Sequence, residues 1–281
     1  MAKHYEALQR AEAERRRKIV GEPAVVAPTE WDTTPASAPV RKSGVLRRIF
    51  SFGEKATGTK ETANEINKRR ITILQPESVA SEQFRTLRGR IDSLATQQTL
   101  KTVAVVSANS DEGKSMASIN LAVVTSMSVG KKVLLVDCDL RRPTIHTSLG
   151  VEPVVGLGEV LSGDAQLEEA IVKVDNANMD VLLVRSRPSN PSELLASDAM
   201  REVIERVASL YDQIILDTPA CLGLPDAKII SEFSDGVVLV VRAAVTPKQD
   251  VETVLEILDQ RRILGLLLNG VEPGPSSSGP Y

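Results

Sequence analysis

Nine residues, SANSDEGKS at positions 107–115, constrain the fold of this chain more than any other feature. They match the phosphate-binding P-loop pattern, with Ala108 at the position usually given to the first glycine, and that pattern requires a strand before it and a helix after it. A Val-rich run at 102–106 precedes the loop, and helical sequence follows. We therefore expect a strand–loop–helix unit whose backbone N–H groups point at an anion.

Short runs rich in Val, Ile and Leu recur beyond the loop and lack the strict alternation of a half-exposed sheet. The predicted strands are 102–106, 132–136, 181–184, 213–216, 236–241 and 263–268. The predicted helices between them are 114–129, 191–210, 225–232 and 247–262. Apolar strands that alternate with helices predict an α/β fold: a doubly wound, mostly parallel sheet with helices on both faces.

The character of the chain changes near residue 70. Residues 1–70 carry 15 Lys and Arg against nine Asp and Glu, whereas the rest carries 19 against 28. We predict a basic, largely flexible N-terminal arm with short helices at 1–70, a folded domain at 71–272 and a Ser/Gly/Pro-rich flexible tail at 273–281. The acidic body argues against nucleic acid as a ligand. Within the arm, the basic amphipathic segment 41–55 fits either an anionic membrane surface or a solvated linker with one apolar turn.

The remaining composition indicates the compartment. Two cysteines cannot frame a chain of 281 residues with disulfides, and no apolar run reaches the 18 residues of a membrane span. The N-terminus is charged and lacks the apolar region of a secretory signal. We therefore expect a cytoplasmic protein.

Acidic side chains follow two of the predicted strands. Asp137 and Asp139 come after the strand at 132–136, and Asp217 comes after the strand at 213–216. Parallel strands end at one edge of a sheet, so these carboxylates should meet the loop at 108–115. Carboxylates beside a phosphate need a divalent cation between them, so we predict Mg²⁺, held by Ser115, Asp139 and Asp217. A single Asp after a strand is often a helix cap, but capping explains three poorly.

The loop itself supplies the predicted phosphate contacts. Gly113 lets the backbone approach the phosphates, and Lys114 neutralises their oxygens. The predicted nucleotide-binding residues of the loop are Asn109, Ser110, Asp111, Glu112, Gly113, Lys114, Ser115 and Met116.

Together these motifs resemble the bacterial tyrosine kinase (BY-kinase) family, over about residues 72–273. The loop matches its Walker A element, 134–141 its Walker A′ element and 214–219 its Walker B element. The resemblance implies a partition-ATPase-like P-loop fold that binds ATP and Mg²⁺. It also implies an autokinase of exopolysaccharide and capsule assembly that phosphorylates a tyrosine of a neighbouring subunit, peripheral at the inner face of the membrane. The related partition and division-site ATPases carry a second lysine early in the loop, where this chain has Asn109.

The sequence Glu82-x-x-Arg85-x-x-Arg88 precedes the first strand. Helical spacing places Phe84, Leu87, Ile91 and Leu94 on one apolar stripe and the three charges on another. The apolar stripe should dock on the body. In the family such charges join neighbouring subunits, which implies a ring-like homo-oligomer. Without that resemblance, a solvated helix face is the preferred interpretation.

The resemblance also implies roles and partners. Asp137 is the candidate to accept the tyrosine proton, Arg141 to orient the acids, and Arg242 and Asn269 to border the adenine. A membrane polysaccharide co-polymerase that regulates chain length is the implied activator. The family's C-terminal tyrosine cluster is missing, and among the three tyrosines the implied phospho-acceptor is Tyr281 rather than Tyr5 or Tyr211. A nucleotide-switched binding module without tyrosine phosphorylation is the alternative.

Overall fold

The computed structural model describes residues 71–174 and 177–271. Within them one seven-stranded sheet has the order β3-β4-β2-β5-β1-β6-β7. The strands are β1 (Thr102–Ser107), β2 (Val133–Asp137), β3 (Ile171–Val174), β4 (Met179–Leu182), β5 (Gln213–Asp217), β6 (Gly236–Arg242) and β7 (Ile263–Asn269). Every neighbouring pair is parallel except β3 and β4, which pair antiparallel at one edge.

Ten α-helices of the described residues connect and cover these strands. They are α1 (Ile71–Leu74), α2 (Val79–Ala95), α3 (Lys114–Ser126), α4 (Ile145–Leu149), α5 (Leu157–Leu161), α6 (Leu167–Ala170), α7 (Pro191–Leu195), α8 (Asp198–Leu210), α9 (Asp226–Glu232) and α10 (Lys248–Ile257). A 3₁₀ turn at Gln260–Arg262 leads into β7.

The central strands are buried on both faces, as their continuous apolar sequence predicts. Val103 and Val105 of β1 pack in one core with α2, α3 and α4, while Ala104 and Val106 pack in the other. That second core takes side chains from α5, α7, α8, α9 and α10. Because a helix layer covers each face, the predicted doubly wound α/β fold is confirmed.

Helix α2 joins the sheet through its predicted apolar stripe. Phe84 and Ile91 are buried in the core shared with α3, and Leu87 and Leu94 pack partly buried against it. The helix begins after Ser78, whose hydroxyl accepts a hydrogen bond from the N–H of Ser81 at 3.2 Å. The predicted docking of this helix is confirmed.

Three elements differ from the sequence predictions. Strand β3 was not predicted, because it is an edge strand of only four residues, three of them only partly buried or exposed, and so lacks the longer apolar run of a central strand. The helix predicted at 191–210 is interrupted at Ser197, whose hydroxyl caps α8 by accepting from the N–H of Met200 at 3.3 Å. The helix predicted at 247–262 ends at Ile257, and Asp259 caps the 3₁₀ turn that follows.

Several predictions lie outside the described residues: the basic arm, its segment 41–55, and the tail with Tyr281. Their boundaries at residues 70 and 272 stay predictions. Of the helices in 71–174 and 177–271, none combines the length and apolar character that crossing a membrane would need.

Candidate functional site

The loop between β1 and α3 has the geometry that anion binding by backbone groups requires. Asp111 and Gly113 adopt left-handed conformations, with φ of 62° and 94°. A side chain at Gly113 would overlap the amide group of Asn269, so glycine alone fits. No side chain caps the first N–H groups of α3, a helix of 13 residues. These groups and the helix dipole favour negative charge at this point.

A pocket of about 140 Å³ lies at this loop, at the carboxyl edge of the sheet. Its lining residues are Ser110, Asp111, Gly113, Lys114, Ser115, Met116, Asp139, Arg142 and Thr144. Seven of these nine were predicted from the sequence. Arg142 and Thr144 were missed, although Arg142 stands beside Arg141 in a two-arginine run that already signalled a basic group near the acids.

The three aspartates meet at this edge, as the parallel strands predict. The register of β2 and β5 places Asp137 directly opposite Asp217. Asp139 Oδ2 lies 3.9 Å from the ammonium of Lys114, which is itself buried. Burial raises the pKa of Asp137 well above its usual value, and the charges of Asp217 and Asp139 raise it further.

Asp137 is enclosed more completely than its predicted role as a proton acceptor suggests. Its side chain is fully buried and is absent from the pocket lining. Its two oxygens accept from the N–H groups of Asp139, at 3.1 Å, and Ile145, at 3.4 Å. Of the three aspartates at the strand ends, Asp139 lines the pocket, whereas Asp137 and Asp217 do not.

Asp217 combines burial with an unsatisfied oxygen. Its Oδ1 accepts from the hydroxyl of Ser118 at 2.9 Å, whereas Oδ2 is buried and has no hydrogen-bond partner within the described ranges. Burial raises the pKa of Asp217 to about 6 against the lowering effects of Lys114, Ser115 and Ser118. A carboxylate oxygen left bare beside a phosphate loop is a position that a divalent cation would satisfy.

The remaining donors also fit a magnesium ion. In the part of the chain that the structure describes, no three His, Cys, Asp or Glu side chains form a metal-binding group by themselves. Magnesium suits such a site, because it retains water and phosphate ligands beside one or two carboxylates. Ser115, at the start of α3, lines the same pocket as Asp139.

Arg141 does not take the position that the sequence predicted. Its Nε donates to Asp226 at 2.7 Å and its Nη2 to the hydroxyl of Ser192 at 2.8 Å. This pairing raises the pKa of Arg141, chiefly through the hydrogen bond to Asp226. The prediction that Arg141 orients Asp137 and Asp139 is therefore wrong, because its guanidinium is directed at the start of α9.

Two residues predicted to contact phosphate turn away from it. Asn109 and Glu112 are absent from the pocket lining, and the backbone N–H of Asn109 donates to Glu112 Oε2 at 3.0 Å. That N–H is occupied within the protein, so the prediction that it binds phosphate is wrong. The loop residues that line the pocket are Ser110, Asp111 and 113–116.

Arg242 and Asn269 lie against the loop, as their positions at strand ends predict. Arg242 Nη1 donates to the carbonyl of Asp111 at 3.1 Å. Asn269 Nδ2 donates to the carbonyl of Glu112 at 2.9 Å. Both side chains thus contact the loop backbone, and a contact with adenine stays a prediction.

The three charged side chains predicted on one face of α2 already have partners within this chain. Glu82 is exposed and pairs with Arg85 on the same helix. Arg88 is half-buried, and its Nη1 donates to the carbonyl of Val124 at 2.7 Å. Glu82 and Arg85 remain directed outward, whereas Arg88 also fastens α2 to the end of α3.

Tyr211 is the tyrosine that the structure describes, and it is a core residue. Its hydroxyl donates to Asp180 at 2.8 Å, and burial followed by this hydrogen bond raises its pKa. Its hydroxyl is hydrogen-bonded at the amino edge of β5, distant from the phosphate loop at the carboxyl edge. Tyr211 therefore has a packing role, as the sequence indicated.

The chain is similar to several known proteins. A family described as "AAA domain" matches residues 100–262. Tyrosine-protein kinase YwqD of Bacillus subtilis is 38% identical over 79% of this chain and 94% of its own length. The succinoglycan biosynthesis transport protein ExoP of Rhizobium meliloti is 34% identical over 71% of this chain, but this chain spans only 26% of ExoP.

Solved structures of a tyrosine kinase domain and of a division-site ATPase are also similar to this chain. The kinase domain of Escherichia coli tyrosine kinase ETK superposes with a TM-score of 0.68, at 33% identity, over 75% of this chain and 83% of that domain. The septum site-determining protein MinD of Pyrococcus horikoshii, complexed with Mg-ADP, superposes with a TM-score of 0.50, at 30% identity, over 60% of this chain and 69% of that protein.

Proposed function

This chain belongs to the bacterial tyrosine kinase family, and from that premise we propose that it is an ATP-dependent tyrosine autokinase that regulates exopolysaccharide or capsule assembly. One observation carries the proposal: Lys114, the open N-terminus of α3 and the acids Asp139 and Asp217 stand together at one edge of the sheet. A site of this kind binds a polyphosphate and a divalent cation.

The residues present assign the binding roles. The N–H groups of residues 110–115 and the ammonium of Lys114 bind the phosphates of ATP. Ser115 would hold Mg²⁺ directly, and Asp139 and Asp217 would support it directly or through water. When bound there, the cation would supply positive charge beside the phosphate oxygens.

The protein's own task is mainly positioning, because phosphoryl transfer passes through a loose transition state. Lys114 positions the phosphates, and the Asp139 carboxylate, 3.9 Å away, pairs with the Lys114 ammonium. We assign acceptance of the tyrosine proton to Asp137, a role that a loose transition state leaves undemanding. That role requires the incoming hydroxyl to reach a carboxylate that is fully buried here.

The same family resemblance extends the proposal to assembly. Glu82, Arg85 and Arg88 join subunits into a ring, and Tyr281 is the acceptor delivered to a neighbour's site. A membrane co-polymerase activates the ring at the inner face of the membrane, with segment 41–55 as a second contact to anionic lipid.

A nucleotide-switched ATPase without tyrosine phosphorylation is the second candidate. The scarcity of tyrosines favours it: the chain has three, and Tyr211 is buried with its hydroxyl bonded. The sequence difference at Asn109, where partition ATPases have lysine, favours the kinase.

One experiment separates the two candidates. The purified full chain is incubated with Mg-ATP, with and without the cytoplasmic segment of a membrane co-polymerase, and phosphotyrosine is mapped by mass spectrometry. Lys114→Met is the test variant, and Lys228→Met, on the exposed face of α9, is its matched control.

The kinase proposal expects phosphotyrosine in the wild type and Lys228→Met but none in Lys114→Met. ADP release without phosphotyrosine supports the ATPase candidate instead. A folded protein that releases no ADP contradicts both.

The ring proposal has its own test. Arg85→Ala should reduce the assembled fraction in size-exclusion chromatography, whereas Arg90→Ala, an exposed arginine on the same helix, should not. Arg88→Ala is a poorer probe because it also removes the hydrogen bond to the Val124 carbonyl, which fastens α2 to α3. Unchanged assembly of Arg85→Ala would remove this contact from the account.

A further inference from the structure

Side-chain hydrogen bonds connect the phosphate loop to the segment between β6 and α10 and to the first turn of α10. Glu112, whose side chain is almost fully buried, is the central residue of these hydrogen bonds. Its Oε1 accepts from the hydroxyl of Thr246 at 2.6 Å, and its Oε2 accepts from the N–H of Asn109. We call the contacts among Asn109, Glu112, Thr246 and Asp250 the brace.

Two further bonds extend the brace on either side. Thr246 Oγ1 accepts from the N–H of Arg242 at 2.9 Å, so its hydroxyl links the end of β6 to Glu112. Asn109 Nδ2 donates to Asp250 Oδ2, in the first turn of α10, at 2.7 Å. Asn109 is thus held within its own chain, at the position where the related partition ATPases carry a lysine that reaches across a dimer.

The brace solves an electrostatic difficulty. Glu112 is adjacent to Gly113 in a loop that has to receive several negative charges, and a carboxylate free to enter the pocket would repel them. Its two oxygens instead accept from the N–H of Asn109 within the loop and from the hydroxyl of Thr246 outside it, and Glu112 is absent from the pocket lining.

We propose that Glu112 and Thr246 are positioning residues of the phosphate site. They hold the loop in its binding conformation and keep the Glu112 carboxylate out of the pocket, and Asn109 with Asp250 fastens the same loop to α10. This inference rests on the proposed nucleotide binding and adds residues that act on it through the loop.

The test measures binding of a fluorescent ADP analogue with Mg²⁺ to the full chain, together with thermal unfolding without nucleotide. Thr246→Val removes the hydroxyl at nearly constant volume, Thr246→Ser retains it, and Thr253→Val is a matched control on the exposed side of α10. We expect Thr246→Val to weaken binding about tenfold, or about 1.4 kcal/mol. Thr246→Ser and Thr253→Val should stay within about twofold of wild type.

A double variant isolates the charge. In Thr246→Val the freed Glu112 keeps its negative charge, whereas adding Glu112→Gln removes it. We expect the double variant to bind severalfold more tightly than Thr246→Val alone. A merely structural loss would instead make the double variant bind at least as weakly.

The outcomes are distinguishable from those of the proposed function. If the wild type does not bind the analogue, nucleotide binding itself fails. If the wild type binds and Thr246→Val binds within about twofold of it, the positioning role fails while the proposed function stands. If the double variant is no tighter than Thr246→Val, the charge-exclusion role is overturned.

Discussion

Asp217→Asn should stabilise the protein without nucleotide while it removes cation binding. The carboxylate of Asp217 is fully buried, faces Asp137 across the sheet and has one oxygen without a partner among the described residues. Asparagine has the same shape, and its carbonyl can still accept from Ser118. The substitution therefore removes the buried charge and retains the packing.

The magnitude follows from the pKa of Asp217, which burial raises from 3.8 to about 6. Between these values the folded state binds more protons than the unfolded state, so the free energy of unfolding falls as the pH rises through this window. At 1.36 kcal/mol per pH unit, ionised Asp217 costs about 3 kcal/mol at neutral pH. For a domain of this size, that amounts to about 6–12 °C in Tm.

The assay is urea denaturation, followed by circular dichroism, of wild type and Asp217→Asn in EDTA. At pH 7.5 the variant should be more stable by up to about 3 kcal/mol, and below about pH 4 the two should converge. Adding Mg-ATP should stabilise the wild type and not the variant. A variant less stable than wild type at pH 7.5 in EDTA would refute the reasoning.

Three further substitutions test other parts of the structure. Gly113→Ala should weaken nucleotide binding at least about tenfold, because the left-handed backbone and the Asn269 side chain leave no room for a methyl group. Titration with an ADP analogue measures this affinity, and an unchanged affinity would contradict the prediction. Phe84→Ala should lower the free energy of unfolding by about 3 kcal/mol in urea denaturation, while Thr86→Ala on the exposed face of α2 should change it by less than about 0.5 kcal/mol. Tyr211→Phe should lower the free energy of unfolding by about 1 kcal/mol, because the hydrogen bond to Asp180 is lost. Nucleotide affinity should stay unchanged, and a reduced affinity would argue against a purely packing role.

Much of the fold could be predicted because burial on both faces leaves a direct trace in sequence. The apolar run of β1 contributes alternate residues to two cores, and the same pattern marks β2 and β5. Strand β3 was missed because an edge strand of four residues does not contribute buried side chains to both cores. The interruption at Ser197 depends on one hydroxyl that bonds both the Leu194 carbonyl and the Met200 N–H, which periodicity does not detect.

The site was predictable where strand ends alone determine position. Asp137, Asp139 and Asp217 meet because parallel strands share an edge. Arg141 was misplaced because its partner, Asp226, is distant in sequence and begins another helix. Glu112 was misplaced for the same reason, since Thr246 lies 134 positions further along the chain.

The most direct test of the account is calorimetric titration of the full chain with ADP, with and without Mg²⁺. We expect a single site whose affinity for ADP depends on Mg²⁺, is lost in Lys114→Met and is retained in Lys228→Met. Absence of binding by the folded wild type, or equal affinity in Lys114→Met, would contradict the claim that a magnesium nucleotide is held between the loop and the aspartates.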